Sequence, residues 1–334
     1  MNCHCSSMGD RLAINKASTS LQRILSITEF PEIHVENVQL TEYKNGEMIE
    51  FQQQDFDDLR ERALISNTKF EDDQFSVDSL NASYQLLRPM EIVDNPVFYL
   101  PQNNNCFYVR QGGLGDCWFI VGLVHLQYYP NLFKFIVRPY EQTFDLNNYA
   151  GIFHFRFWQA GTWVDVVIDD RLPTWEKELV YASSGYPNEF WPALIEKAYA
   201  KLLYRSYEKL QGGFSAISMQ DLSGGISETH PVGLGPPNIL FEIIYHAKTR
   251  LTMIGAATNN ETDTSQFGLL LGHSYVITGV KKVTGINVNH EFKLLHIYNP
   301  HGESSERYFG EIGNLFSEET IRSQLNIKEN LWEE

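Results

Sequence analysis

Cys117 lies in QGGLGDCWFI (Gln111–Ile120), and its surroundings answer the needs of a thiol nucleophile. Such a group requires a depressed pKa, a base to hold the proton, and donors for a tetrahedral oxyanion. Asp116 has the side chain of a helix N-cap, and the apolar run DCWFIVGLVHLQYY that it opens puts Cys117 at the first position of a buried helix. Unpaired N–H groups and positive potential at a helix start favour thiolate, while the Asp116 carboxylate works against it. Gly112, Gly113 and Gly115 let the backbone approach a substrate closely. Gln111, six residues before the cysteine, has an amide to offer an oxyanion, and the Cys117 N–H is a second donor. Alone, Cys117 reads as a buried structural thiol; the glycine loop before it turns the reading towards nucleophile.

Among the ten histidines, His273 is the candidate base for a geometric reason. It opens the strand-like run HSYVITGVKKV (His273–Val283), and Asn299 closes the next, FKLLHIYN (Phe292–Asn299). The turn signal Gly285-Ile286-Asn287 lies midway, so an antiparallel hairpin folded there sets His273 beside Asn299. An Asn oxygen accepting from one ring nitrogen fixes the tautomer and aims the other nitrogen at a thiol. Cys, then His, then Asn is the papain-type order. Without Asn299, His273 reads as a hydrogen-bonded strand histidine. The other histidines have blander readings: His125 as core on the apolar helix, His154 and His296 inside alternating strands, His246 on a helix.

The elements that must position these groups are legible in outline. Residues 1–53 read as a loosely ordered arm or regulatory segment, and the segment Cys3-His4-Cys5 as incidental thiols on it. FDDLRERAL (Phe56–Leu64) has helical spacing, and Arg88-Pro89 and Asn95-Pro96 punctuate a loop. Gln102–Gly115, rich in Asn, Gln and Gly, is expected as an irregular surface loop. IFHFRFW (Ile152–Trp158) and TWVDVVIDD after Gly161 form a β-hairpin ended by Arg171-Leu172-Pro173. Phe190–Tyr207 is a helix with Trp191, Leu194, Ile195, Ala198 and Leu202 on one face. The glycine pairs at 212–213 and 224–225 bracket a hinge, dividing a first lobe, 54–223, from a strand-rich second lobe, 224–334.

Composition narrows the class. With 334 residues, 43% of them hydrophobic, the chain has material for a sizeable core. A net charge of −16 repels phosphates and anionic lipid headgroups, which argues against nucleic acid and membrane surfaces as partners. Four cysteines, Cys3, Cys5, Cys106 and Cys117, are too few for a disulfide framework. No apolar run approaches the roughly 20 residues of a membrane span, and the expectation is a reduced, cytoplasmic protein without stable membrane insertion.

At these residues the sequence resembles the calpain protease core. QGGLGDCWFI resembles the family's nucleophile motif, GHSYVITG (Gly272–Gly279) its histidine motif and Tyr298-Asn299-Pro300 its asparagine motif. GIFHFRFWQAGTWVDVVIDDRLPT (Gly151–Thr174) and EFWPALIEKAYAKL (Glu189–Leu202) match as well. DFDDLRERAL, KFEDDQF and RPMEIVDNPVF also look calpain-like, so the resemblance spans roughly residues 54–334. It implies an α+β, papain-like two-lobe cysteine protease core, with Cys117 on a helix-rich lobe and His273 and Asn299 on an antiparallel β-rich one. It implies limited proteolysis of intracellular proteins, Gln111 completing the oxyanion hole, and Gly213 and Gly272 holding extended substrate by their backbone. A regulatory subunit or inhibitor is a further implied partner.

Three departures stand against that pattern. His301 occupies the position where the family has Trp, two residues after the asparagine, and an imidazole shields the His–Asn hydrogen bond less than an indole. The resemblance implies calcium as an allosteric activator, one ion per lobe, and no catalytic metal. Glu189 matches a ligand of the first lobe, but Tyr108 replaces an aspartate, and in the second lobe only Glu306 is near a ligand position, which weakens the expectation of calcium control. Finally the chain ends at Trp332-Glu333-Glu334, before a calpain core normally does. Two other readings compete: a catalytically impaired calpain-like scaffold, and a transglutaminase, disfavoured by Asp116 before the cysteine and by Asn299 as the third member.

Overall fold

The structure is a computed structural model that describes residues 48–75, 81–101, 109–204, 206–259, 269–284, 291–302, 307–310 and 315–316. The segment Cys3-His4-Cys5, Cys106, Tyr108, the turn at Gly285–Asn287, Glu306 and the chain's end lie outside the described residues.

The helix-rich lobe begins with β1 (Ile49–Glu50) and α1 (Phe56–Ile65), whose N-cap Asp55 accepts from the Asp58 N–H at 2.7 Å. β2 (Gln85–Leu87) leads to a short helix, α2 (Pro89–Ile92). A loop is expected from Arg88-Pro89, but proline stands at N1, where its missing N–H costs nothing and its φ suits a helix. β3 (Val109–Arg110) then runs into α3 (Cys117–Leu126) and α4 (Pro130–Val137). Every residue of α3 is buried, as an all-round apolar helix requires.

The expected hairpin forms from β4 (Ile152–Gln159) and β5 (Thr162–Asp169), with Ile152 opposite Asp169 and Gln159 opposite Thr162. β6 (Leu172–Trp175), β7 (Glu178–Leu179) and β8 (Ser183–Ser184) follow, β8 pairing with β3. α5 (Trp191–Tyr204) crosses this layer and ends three residues before the expected Tyr207. Its buried Lys197 and Lys201 are each paired, with Asp169 and Asp72, both at 2.6 Å. Removing one partner of such a pair strands a buried charge, at about 3–5 kcal/mol.

The glycine pairs at 212–213 and 224–225 flank a helix, α6 (Ser215–Ser223), that packs on α3. Gly122 of α3 permits the approach: a Cβ there would sit 2.7 Å from Leu222 Cδ1 and 2.9 Å from Ser218 Oγ. Residues 225–236 then lead to α7 (Pro237–Thr249).

Among the described residues, the strands of the second lobe form one antiparallel sheet in the order β13-β12-β11-β10-β9. Its strands are β9 (Gly255–Ala257), β10 (Ser274–Thr284), β11 (Glu291–Tyr298), β12 (Arg307–Gly310) and β13 (Leu315–Phe316). β10 and β11 pair from Thr284–Glu291 to Val276–Tyr298, with an irregularity between Ile277 and Gly279. Among the described residues no helix is long and apolar enough to cross a membrane.

Candidate active site

Cys117 is the first residue of α3 and is fully buried. Asp116 occupies the N-cap position as expected, but its side chain makes no capping hydrogen bond; the cap is its carbonyl, which accepts from the Phe119 N–H at 2.7 Å. Beside the cysteine, Trp118 donates its indole N–H to Leu210 O at 2.9 Å. The Trp118 ring is the surface on which Gly213 rests, and a Cβ at Gly213 would overlap it. The Gly212 N–H donates to Gly115 O at 2.8 Å, so this backbone segment is stitched to the glycine loop before Cys117.

The described part of Gln102–Gly115 is only partly on the surface: Arg110 and Gly113 are exposed, while Val109, Gln111 and Leu114 are buried. The second lobe binds this backbone: Tyr298 OH donates to Val109 O at 3.0 Å, and the Gln111 N–H donates to Pro300 O at 2.8 Å. Asn, Gln and Gly signal irregular backbone, and here that backbone finds its partners across the lobe boundary. The Gln111 side chain is oriented by Leu114 O, which accepts from Nε2 at 2.6 Å.

His273 stands immediately before β10 and Asn299 immediately after β11, so the hairpin brings them together. His273 Nε2 and Asn299 Oδ1 are 2.8 Å apart. An amide oxygen can only accept, which assigns the ring proton of that bond to Nε2. Asn299 Oδ1 also accepts from the His301 N–H at 3.1 Å, tightening the turn. Two rings fix the imidazole further. Tyr275 meets it edge-on at 4.9 Å between centroids, and His301 lies flat against it at 4.6 Å, the planes within 1° of parallel. Gly272, next to the histidine, has φ +58°, a left-handed conformation that suits glycine, and its N–H donates to Asn259 O at 3.2 Å.

Glu189 has different partners. It is buried, and its two oxygens accept from the Leu100 N–H at 2.7 Å and from Ser184 Oγ at 2.5 Å. Burial raises its pKa, and hydrogen bonds from Ser184, the Leu100 N–H and Trp191 counter that. Calcium takes roughly six to eight oxygen ligands, carboxylate and carbonyl. Here the carboxylate serves donors, and among the described residues no group of three His, Cys, Asp or Glu could hold a metal ion.

One residue that sequence reasoning passed over is His125. It is core, as expected, but its ring binds the peptide of Ile254 in the other lobe. The only signal in the sequence is a polar ring inside an otherwise apolar helix.

The family model described as calpain family cysteine protease matches residues 56–318. Calpain-A of Drosophila melanogaster is 44% identical over 268 residues, 76% of this chain and 32% of its own length. Calpain-B of the same organism is 44% identical over 269 residues, covering 75% of this chain and 28% of its own. Calpain clp-1 of Caenorhabditis elegans is 40% identical over 265 residues, 76% of this chain and 33% of its own. The chain thus spans about a third of the length of these curated relatives.

Proposed function

The chain belongs to the calpain family of cysteine proteases, and from that premise we propose that it is an endopeptidase, cutting proteins at selected sites through Cys117, His273 and Asn299. The observation that carries the reading is the 2.8 Å bond between His273 Nε2 and Asn299 Oδ1. With Nε2–H held by the asparagine, Nδ1 is the ring nitrogen that takes the thiol proton of Cys117. The resulting thiolate at the start of α3 gains from the helix dipole.

In this reading the Cys117 sulfur attacks a peptide carbonyl, and the oxyanion is received by the Cys117 N–H and the Gln111 amide, whose direction Leu114 O sets. The His273 imidazolium returns its proton to the leaving amine. Water, deprotonated by the same ring, then releases the acyl group from Cys117. Extended substrate runs along the backbone of Gly213, backed by Trp118, and of Gly272, beside the base. The substrates are proteins of a cytoplasmic setting. Calcium, where it acts, would act as an allosteric activator outside the chemistry, and Glu189 is the one ligand inherited from the resemblance whose surroundings are described. A regulatory subunit or inhibitor is a further proposed partner.

The test is cleavage of labelled casein by the purified chain. Cleavage blocked by iodoacetamide and abolished in Cys117→Ala supports the proposal. Cleavage that survives Cys117→Ala sinks the mechanism. A wild-type chain that leaves casein intact, with and without millimolar calcium, favours the scaffold reading.

A further inference from the structure

The thiol on α3 and the imidazole at the head of β10 must be held in register, and we propose that His125 is the positioning residue that ties the nucleophile helix to the histidine strand. The inference rests on the proteolytic reading above and deepens it.

His125 lies eight residues after Cys117 on the same helix, about two turns along it. It is fully buried, and the rest of α3, CWFIVGLV before it and Leu126 after it, carries no other ionisable side chain but the thiol. A polar ring at such a position is costly unless it is paired. Its partner is in the other lobe. Nε2 is 3.0 Å from Ile254 N and 2.9 Å from Ile254 O. Ile254 O already accepts from the Ile277 N–H of β10 at 2.9 Å. The tautomer sets the direction of the bond: Nε2 either accepts from the Ile254 N–H or donates to Ile254 O as that oxygen's second partner, and in both cases it holds the Ile254 peptide. Burial keeps the ring neutral across the neutral range, its pKa pushed down to about 3 against the opposing effect of the bond to the Ile254 backbone.

The connection continues to the base. Ile254 leads directly into β9, which pairs with β10 at Ser274, Tyr275 and Val276, the three residues that follow His273. Thr258, just past β9, gives its N–H to His273 O at 3.0 Å, and its Oγ1 accepts from the His273 N–H at 3.1 Å. On its other side β9 is pressed against the first lobe: a Cβ on Gly255 would come within 3.2 Å of both Val121 of α3 and Ser215 of α6. β9 is thus a wedge between helix and strand. His125 supplies the directional bond that sets its position, where apolar contacts alone would let it slide.

The experiment compares the wild-type chain with His125→Leu and His125→Gln, reading kcat and KM on labelled casein and the pH dependence of Cys117 alkylation by iodoacetamide. Leu removes the bond to the Ile254 peptide and should lower kcat by about 10- to 100-fold with KM within about twofold, the signature of misplaced catalytic groups. It should also abolish alkylation below neutral pH, where only a thiolate paired with an imidazolium reacts. Gln, whose terminal amide reaches the position of Nε2 with either an acceptor or a donor, should restore both. Wild-type kcat and alkylation in His125→Leu overturn the proposal, as does a Gln variant as impaired as Leu. If the Leu variant fails to fold, His125→Asn, one methylene too short to reach Ile254, takes its place, and an Asn variant equal to Gln is then the overturning result. If wild-type casein cleavage is absent, the proteolytic reading fails alone, and the alkylation profiles decide the tie by the same criterion.

Discussion

The imidazole of His301 lies flat on that of His273, with ring centroids 4.6 Å apart. A ring in that position covers a face of the imidazole that water would otherwise reach. An indole in place of His301 would cover more of that face and of the 2.8 Å bond to Asn299. Replacing His301 by Trp is therefore expected to raise kcat on casein with KM little changed. Equal kcat for the two proteins would show that the His273–Asn299 pair needs no further shielding.

Gly213→Ala should fail for a steric reason. The new Cβ would overlap the Trp118 indole, so either the ring or the 212–213 backbone must move. Overpacking of this kind costs about 1–3 kcal/mol, readable as a lower denaturant midpoint. Because the displaced backbone is the proposed substrate rail, KM for casein should rise as well. A variant with wild-type KM would remove Gly213 from substrate binding.

His125 makes stability depend on pH. Its pKa is lowered by burial from 6.5 to about 3 in the fold. The unfolded chain takes up this proton below the upper value and the folded chain only near the lower one. The contribution is therefore whole above pH 6.5 and drains away as pH falls towards 3. At about 1.4 kcal/mol per unit the loss is on the order of several kcal/mol. Urea unfolding at about pH 7 and about pH 4 should show a smaller acid penalty in His125→Gln than in wild type. Equal penalties would mean that other groups carry the acid sensitivity.

Glu189 is expected to matter for the fold. Truncation to Ala leaves the Leu100 N–H and the Ser184 hydroxyl without their acceptor, at about 1–3 kcal/mol. Calcium titration of casein cleavage, from chelator to millimolar ion, should change the rate by less than the roughly fivefold of a typical allosteric coupling. A larger activation abolished by Glu189→Gln would make the carboxylate a ligand after all.

The two halves of the site were unequally legible. His273 and Asn299 could be joined on paper because a hairpin's period is strict and its turn signal lay midway between them. The irregularity between Ile277 and Gly279 shifts the register without separating the pair. Gln111 was readable as a chemical group but not as a buried one, since the partners of this segment, Tyr298 and Pro300, come nearly two hundred residues later. His125 was read correctly as core and missed as a tie. The sequence of an apolar helix says that a polar ring needs a partner, and says nothing about which element will provide it. The short helix after Arg88 was missed because proline marks a break and a helix start with the same letter.

The bond from the Gln111 N–H to Pro300 O joins the residue proposed for the oxyanion to the residue after the asparagine. A chain that opens its cleft must break that bond, and in doing so detaches the oxyanion donor and the histidine's anchor from each other in one event. Partial opening then yields no half-competent enzyme that binds the carbonyl but cannot move the proton. The protein would behave as a coincidence device, silent until both walls of the cleft are in contact, which would be a safeguard for the endopeptidase proposed above.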